Sequence, residues 1–224
     1  MKNDSGVSLA RLLQLASPAL PVGAYSYSQG LEAAVEAGIV RDAASAERWV
    51  ADVLEFSIAR MEAPVFVRLV EAWRAGDATA AARWNEVFLA SRESAELRAE
   101  SAQMGFSLVR LLRELGLADG PGAWQEVSFP AAFAYAVVRW HIAVSEALIA
   151  YLWAWCENQV MAALKAVPLG QTAGQRMLLA LGERLPAIAQ AAAALADDEL
   201  GNYAPGLALL SARHETQYSR LFRS

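Results

Sequence analysis

Ala147-Leu148-Ile149-Ala150-Tyr151-Leu152-Trp153-Ala154-Trp155-Cys156 is the stretch on which the fold turns. Read one way it is part of a bilayer span; read the other way it is the central helix of a water-soluble bundle. The uninterrupted apolar run is ten residues, whereas a bilayer core needs about 20. Arg139, Glu146 and Glu157 bracket or interrupt the wider apolar segment, and a charge at the centre of a span costs about 2.5–3.5 kcal/mol. The buried central helix is the better reading, and no membrane span is expected.

Working outward, the 224 residues are 56% hydrophobic and 19% charged, a globular composition with ample core and too little charge for disorder. No Pro/Ser/Gly-rich linker divides the chain, so residues 1–224 are read as one domain. The net charge of −5 argues against a protein that tracks nucleic-acid phosphates. Cys156, the one cysteine, rules out an internal disulfide and suits a reducing compartment. Residues 1–8 are polar with no apolar signal core. A cytoplasmic location is expected.

Apolar residues recur at a helical period along most of the chain. Leu9, Leu12, Leu13 and Ala16 form a first stripe that stops at Ser17-Pro18. A short helix over 31–37 should end at Gly38. Asp42 should cap a helix whose broad face carries Trp49, Val53, Phe56 and Met61, with Pro64 kinking or restarting it before Phe66, Leu69, Val70 and Trp73. Gly76-Asp77 reads as a stop followed by a new cap. Helices over 80–90 and 94–115 follow, the second turning Met104, Leu108, Leu111, Leu112 and Leu115 inward. Residues 116–127, containing Asp119-Gly120-Pro121-Gly122, are the clearest internal loop. Pro130 opens an Ala-rich segment leading into the long helix through Lys165. Pro168, Gly182 and Pro186 divide the remainder into helices over 169–181 and 187–195, with a loop over 197–206 and a last helix from about Leu207. Strand-like alternation never appears. The fold class is all-α: a single-domain bundle of roughly eight to ten helices.

One early segment breaks the helical pattern: Ser17-Pro18-Ala19-Leu20-Pro21-Val22-Gly23-Ala24-Tyr25-Ser26-Tyr27-Ser28-Gln29-Gly30-Leu31-Glu32. Two prolines fix φ and withhold donors, and Gly23 and Gly30 permit conformations that a Cβ forbids. A floppy linker would lack the tyrosines and the flanking Leu20 and Val22. This loop packs.

The residue patterns of common chemistries are missing or incomplete. The two histidines, His141 and His214, lie far apart, and Cys156 has no Cys-x-x-Cys mate. His214-Glu215-Thr216-Gln217-Tyr218 starts like a zincin motif, but Tyr218 stands where the second histidine belongs. His141, beside Trp140, reads as a hydrogen-bonded core residue. Gly170-Gln171-Thr172-Ala173-Gly174-Gln175 has glycines but neither the lysine nor the preceding strand of a Walker loop, and reads as a helix start after Pro168. No Gly-x-Ser-x-Gly elbow or Ser-x-x-Lys is present. Glu93, Glu96 and Glu100, interleaved with Arg92 and Arg98, read as a solvated, salt-bridged face. An enzyme would have to work with Lys165, His141 or His214.

The closing segment, Arg213-His214-Glu215-Thr216-Gln217-Tyr218-Ser219-Arg220-Leu221-Phe222-Arg223-Ser224, carries a net +2 on an acidic chain. The bland reading is a frayed terminal turn. Yet Tyr218, Leu221 and Phe222, read as one face and flanked by arginines, suit anchoring in a partner groove. Attraction to an anionic lipid surface would be weak, at about 1 kcal/mol per basic residue.

Residues 13–32 and 211–224 resemble the N-terminal and C-terminal signatures of the urease accessory protein family UreF. Leu97-Arg98-Ala99-Glu100 and Lys165-Ala166-Val167-Pro168-Leu169-Gly170-Gln171 match between them, in order. The resemblance implies an all-α, non-catalytic chaperone of nickel-urease maturation that holds no cofactor of its own. Such proteins form homodimers and bind UreD (UreH in some species). The complex then recruits the GTPase UreG and docks on apo-urease, so nickel and GTP are handled by the assembly. By the resemblance, Tyr218, Ser219, Arg220, Leu221, Phe222 and Arg223, with the N-terminal helix over 1–16, dock on UreD; the 207–224 tail is partner-facing. Pro21, Gly23, Tyr25, Ser26, Tyr27, Ser28, Gln29, Glu32, Lys165, Gly170 and Gln171 are candidates for an interface or a structural loop. Regulation of the GTPase is a further implication; its form is left open.

Overall fold

A computed structural model describes residues 5–117 and 120–224, and among these every regular element is helical. The expected N-terminal helix is α1, Ser5–Ala16; residues 1–4, and Asp119 of the internal loop, lie outside the described residues. Leu12 and Leu15 point into the core, whereas Leu9 and Leu13 are exposed, so the first stripe is narrower than its sequence suggests. Helix α2, Leu31–Glu36, ends where Gly38 takes a left-handed φ of +71°.

Asp42 caps α3, Ala43–Val53, accepting from the Ser45 amide while Ser45 Oγ accepts from the Asp42 amide. The helix then widens into a π-helical stretch, Leu54–Glu62, and runs without a break into α4, Ala63–Arg74. Pro64 sits in the first turn of α4, so the α-helix restarts there, as expected, within a continuous helical run. Proline cannot donate to the carbonyl four residues back, and that carbonyl, Arg60 O, instead accepts from Gly201 N at 3.2 Å. Beside it Phe56 O accepts from Tyr203 N at 2.8 Å. The wider turn also rotates Phe56 out to solvent, contrary to the expected inward face.

Asp77 and Ser94 cap α5, Ala78–Ala90, and α6, Ala95–Glu114. Leu108 and Leu112 of α6 are buried, but Leu115 lies beyond the last turn and is exposed. Helix α7, Phe129–Arg139, is separated from α8, Val144–Ala166, by a turn in which His141 adopts φ +55°. His141 is exposed there; the expected core histidine is a turn residue. Helix α9, Gln171–Ala194, runs straight through Gly182 and Pro186, which the sequence reads as breaks. Tertiary packing overrides them: Leu181, Leu185, Ala189 and Ala192 are buried on one side, and a Cβ on Gly182 would lie 3.2 Å from the Trp153 ring. Helix α10, Pro205–His214, closes the chain.

The apolar run that opens the question is the middle of α8, which touches α1, α2, α3, α4 and α9. Tyr151 stacks on Phe66 of α4 with ring centroids 4.9 Å apart and meets Phe133 of α7 edge-on at 5.2 Å. Among the described residues no helix is long and apolar enough to cross a membrane.

Candidate functional site

The two segments singled out by sequence meet. Beyond His214 the chain turns back over α2 and α6 and lies along the 17–32 loop. Arg223 N donates to Ser26 O at 2.9 Å, and Ser224 O accepts from Ser28 N at 2.7 Å, Gln29 N at 3.1 Å and Ser28 Oγ at 2.6 Å. Phe222 is 6% exposed and Ser224 1%. The frayed terminal turn of the sequence reading is thus an ordered clasp.

Glu32, in the first turn of α2, holds the other side of the tail. Its two carboxylate oxygens accept from Leu221 N at 2.7 Å and Phe222 N at 3.0 Å. Its Oε2 also lies 3.3 Å from Nε2 of the fully buried His214, whose Nδ1 is 2.7 Å from Glu96 Oε2. Arg220 reaches the other Glu96 oxygen at 2.5 Å and clamps the turn by donating to Gln217 O and Glu215 O. Backbone amides aimed at a carboxylate make charge-assisted bonds, about twice as strong as neutral ones.

Glu100 lies beneath this layer. Its Oε1 accepts from Gln29 Nε2 at 2.6 Å and its Oε2 from Ser224 Oγ at 2.7 Å. Gln29, held at φ +53°, also accepts from Trp155 Nε1 of α8 at 2.6 Å. A non-glycine residue in the left-handed region carries strain that its surroundings must offset, and here two buried partners fix the side chain. Burial pushes the Glu100 carboxyl up to about 7, with Glu62 adding to the rise and Ser224, Gln29 and Arg92 opposing it. The face that spacing reads as solvated is in fact covered: Glu100 is buried, Glu96 pairs with the tail, and Arg92 bonds Glu62 at 3.2 Å. Tyr151 donates to the other Glu62 oxygen. A cavity of about 170 Å³ runs past Gln29, Glu62, Arg92, Glu100, Tyr151 and Trp155.

Tyr27 is buried, and its hydroxyl is raised by burial and by Glu100, against a hydrogen bond with Arg223. Its carbonyl accepts from Asn158 Nδ2 at 3.2 Å. Lys165, at the C-terminal end of α8, places Nζ 5.7 Å from the Tyr25 ring and 5.5 Å from the Phe222 ring, a cation–π bridge between loop and tail. Gly30, at φ +81°, lets α10 approach: a Cβ would sit 3.2 Å from Leu207 Cδ1.

Not every expected residue belongs to this cluster. Gly170 and Gln171 sit exposed at the start of α9. Pro21 is exposed, Tyr25 meets the cluster only through Lys165, and Gly23, at φ +79°, is half-buried with nothing near its missing Cβ. Tyr218, Leu221 and Phe222 do not share a face, because the tail past His214 is not helical: Phe222 points inward, while Leu221 is 71% exposed and Tyr218 fully exposed. Ser219 is exposed as well. Glu96, Trp155 and Asn158 are partners that sequence reasoning misses; the motif match at 97–100 is the signal that pointed at Glu100's neighbourhood.

The arrangement offers binding surfaces and hydrogen-bonded anchors. Among the described residues no group of three or more His, Cys, Asp or Glu side chains is placed to hold a metal ion, and burial raises the Cys156 thiol to about 12, far from a reactive thiolate.

The sequence model of UreF matches residues 40–182, the span between loop and tail. Over 223 residues the chain is 60% identical to the urease accessory protein UreF of Azoarcus sp. (strain BH72), covering 96% of this chain and 95% of that protein. It is 55% identical over 224 residues to the urease accessory protein UreF of Dechloromonas aromatica (strain RCB), covering 97% and 98%. The bifunctional urease accessory protein UreEF of Bordetella bronchiseptica is 52% identical over 229 residues, which take in 99% of this chain and 53% of that protein. Identity of this extent over nearly the whole length places the chain in the UreF family of urease accessory proteins.

Proposed function

We propose that the chain works in the cytoplasm as a non-catalytic, homodimeric scaffold of nickel-urease maturation. It joins UreD (UreH in some species) to the GTPase UreG on apo-urease and modulates that GTPase. It holds no cofactor or metal of its own. Family membership supports the maturation role, and a relative named as the bifunctional urease accessory protein UreEF supports work alongside other accessory proteins.

The observation that carries the docking part is the clasp. Its inward residues anchor the tail at both ends, and Leu221 and Tyr218 are left projecting into solvent. Large apolar and aromatic groups presented to solvent from an anchored backbone are the residue types that bury well in a partner's pocket.

The test is stepwise capture. The purified chain is immobilised, UreD is added, and UreG follows with and without GTP. Retention of UreD by the chain alone, and of UreG by the chain–UreD complex, is expected, with no substrate turnover by the chain itself. Failure to retain UreD, or turnover that is lost on substituting Lys165, His141 and His214, would overturn the reading.

A further inference from the structure

We propose that the groove between α1, α8 and α9 receives a partner helix whose apolar stripe is edged by lysine or arginine. All three helices line this groove, which has a volume of about 730 Å³. Leu13 of α1 and Leu179 of α9 belong to its lining and are 63% and 67% exposed. Single exposed leucines are ordinary on a protein surface. Two that line one groove, together with half-buried Ile149 and Trp153 of α8, make an unpartnered apolar surface. No residue of the clasp lines it, so this face is separate from the tail.

Charge decides the occupant. The charged residues lining the groove are Glu146 of α8 and Glu183 of α9, both exposed, and no lysine or arginine lines it. Among the described residues neither carboxylate has a hydrogen-bond or ion-pair partner. An anionic lipid surface would be repelled by them. A second copy seated about a two-fold axis would present the same patch to itself, adding another Glu146 and Glu183 with no base in the lining to face them. Like charges brought together across an interface oppose binding. A partner that carries bases beside its apolar stripe meets both the apolar walls and the two acids.

The shape of the site selects a helix. Every regular element among the described residues is helical, so no sheet edge is offered to an extended peptide. A groove walled by helices is filled by side chains at i, i+3, i+4 and i+7 of an amphipathic helix laid along it. Leu13 and Leu179 then supply the apolar contact, and Glu146 and Glu183 hold the flanking bases.

Fluorescence anisotropy on the full-length chain tests the site with two labelled, stapled synthetic helices. Both carry leucine at i, i+3, i+4 and i+7; one is edged with lysine and the other with glutamate. The lysine helix should bind at least tenfold more tightly than the glutamate helix, and the preference should shrink as salt is added. Glu146→Lys with Glu183→Lys should reverse the preference. Glu36→Lys with Glu86→Lys changes the net charge equally at two exposed acids outside the groove and should preserve it. Leu13→Ser with Leu179→Ser should weaken the lysine helix at least tenfold at an unchanged circular dichroism spectrum. Absence of saturable binding overturns the proposal, as does a preference that the groove pair leaves untouched or that the remote pair abolishes as fully. Self-association in sedimentation that Leu13→Ser with Leu179→Ser removes would give the groove to a second copy and overturn it too. Capture of UreD by the tail is a separate readout, and its failure would leave this site standing.

Discussion

Glu32 does at one residue what a capping residue does at a helix end: it supplies acceptors for backbone amides that leave regular structure. Replacing it with Ala strands the Leu221 and Phe222 amides and removes a partner of buried His214. A loss of about 3 kcal/mol is expected in urea denaturation, with cleavage at Arg220 and Arg223 by trypsin accelerated. Glu32→Gln keeps one oxygen acceptor and should lose about half as much. Glu100 predicts a pH profile of global stability. Its raised folded value means stability declines from about pH 4.5 to about 7, by up to about 3 kcal/mol, and Glu100→Gln removes that slope. Neither role could be read from sequence. Glu93, Glu96 and Glu100 with Arg92 and Arg98 have the spacing of a solvated helix face, and only a segment more than a hundred residues away decides that the face is covered.

At the scale of elements, local signals set most boundaries. Asp42, Asp77 and Ser94 are caps where the sequence places the first two caps and the helix start at 94, and Gly38 and Gly76 terminate helices with φ +71° and +70°. Pro64 restarts its helix, with Gly201 bonding the carbonyl it cannot serve, whereas the buried face of α9 carries that helix past Pro186. Glycines inside helices divide in the same way. At Gly105 a Cβ would stand 2.1 Å from Val127 O, so α6 can touch the segment before α7 only without one. Gly105→Ala should cost about 3 kcal/mol or more and lower the melting temperature sharply. Gly206, in the first turn of α10, has nothing near its missing Cβ. Gly206→Ala should raise stability by about 0.5–1 kcal/mol, read from the same melting curves. Opposite signs for two Gly→Ala changes check the packing directly.

For the whole molecule, the length of the apolar run in α8 decides the fold. Too short for a bilayer and flanked by acids, it fits the centre of a bundle, where α8 packs against α1, α2, α3, α4, α7 and α9. The all-α class and the two marked segments were legible because periodicity and punctuation are local. Their meeting was not, because the tail's bonds to Ser26, Ser28, Gln29, Glu32 and Glu96 depend on how α2, α6 and α10 pack. That geometry sharpens the docking claim, since it separates tail residues that hold the clasp from those that face outward. Tyr218 and Leu221 project into solvent, so replacing both should leave the fold intact while removing the proposed anchors. The most direct measurement is the affinity of the full-length Tyr218→Ala, Leu221→Ala variant for UreD by titration calorimetry, alongside its melting temperature. The account predicts at least a tenfold loss of affinity at an unchanged melting temperature; unchanged affinity would contradict it.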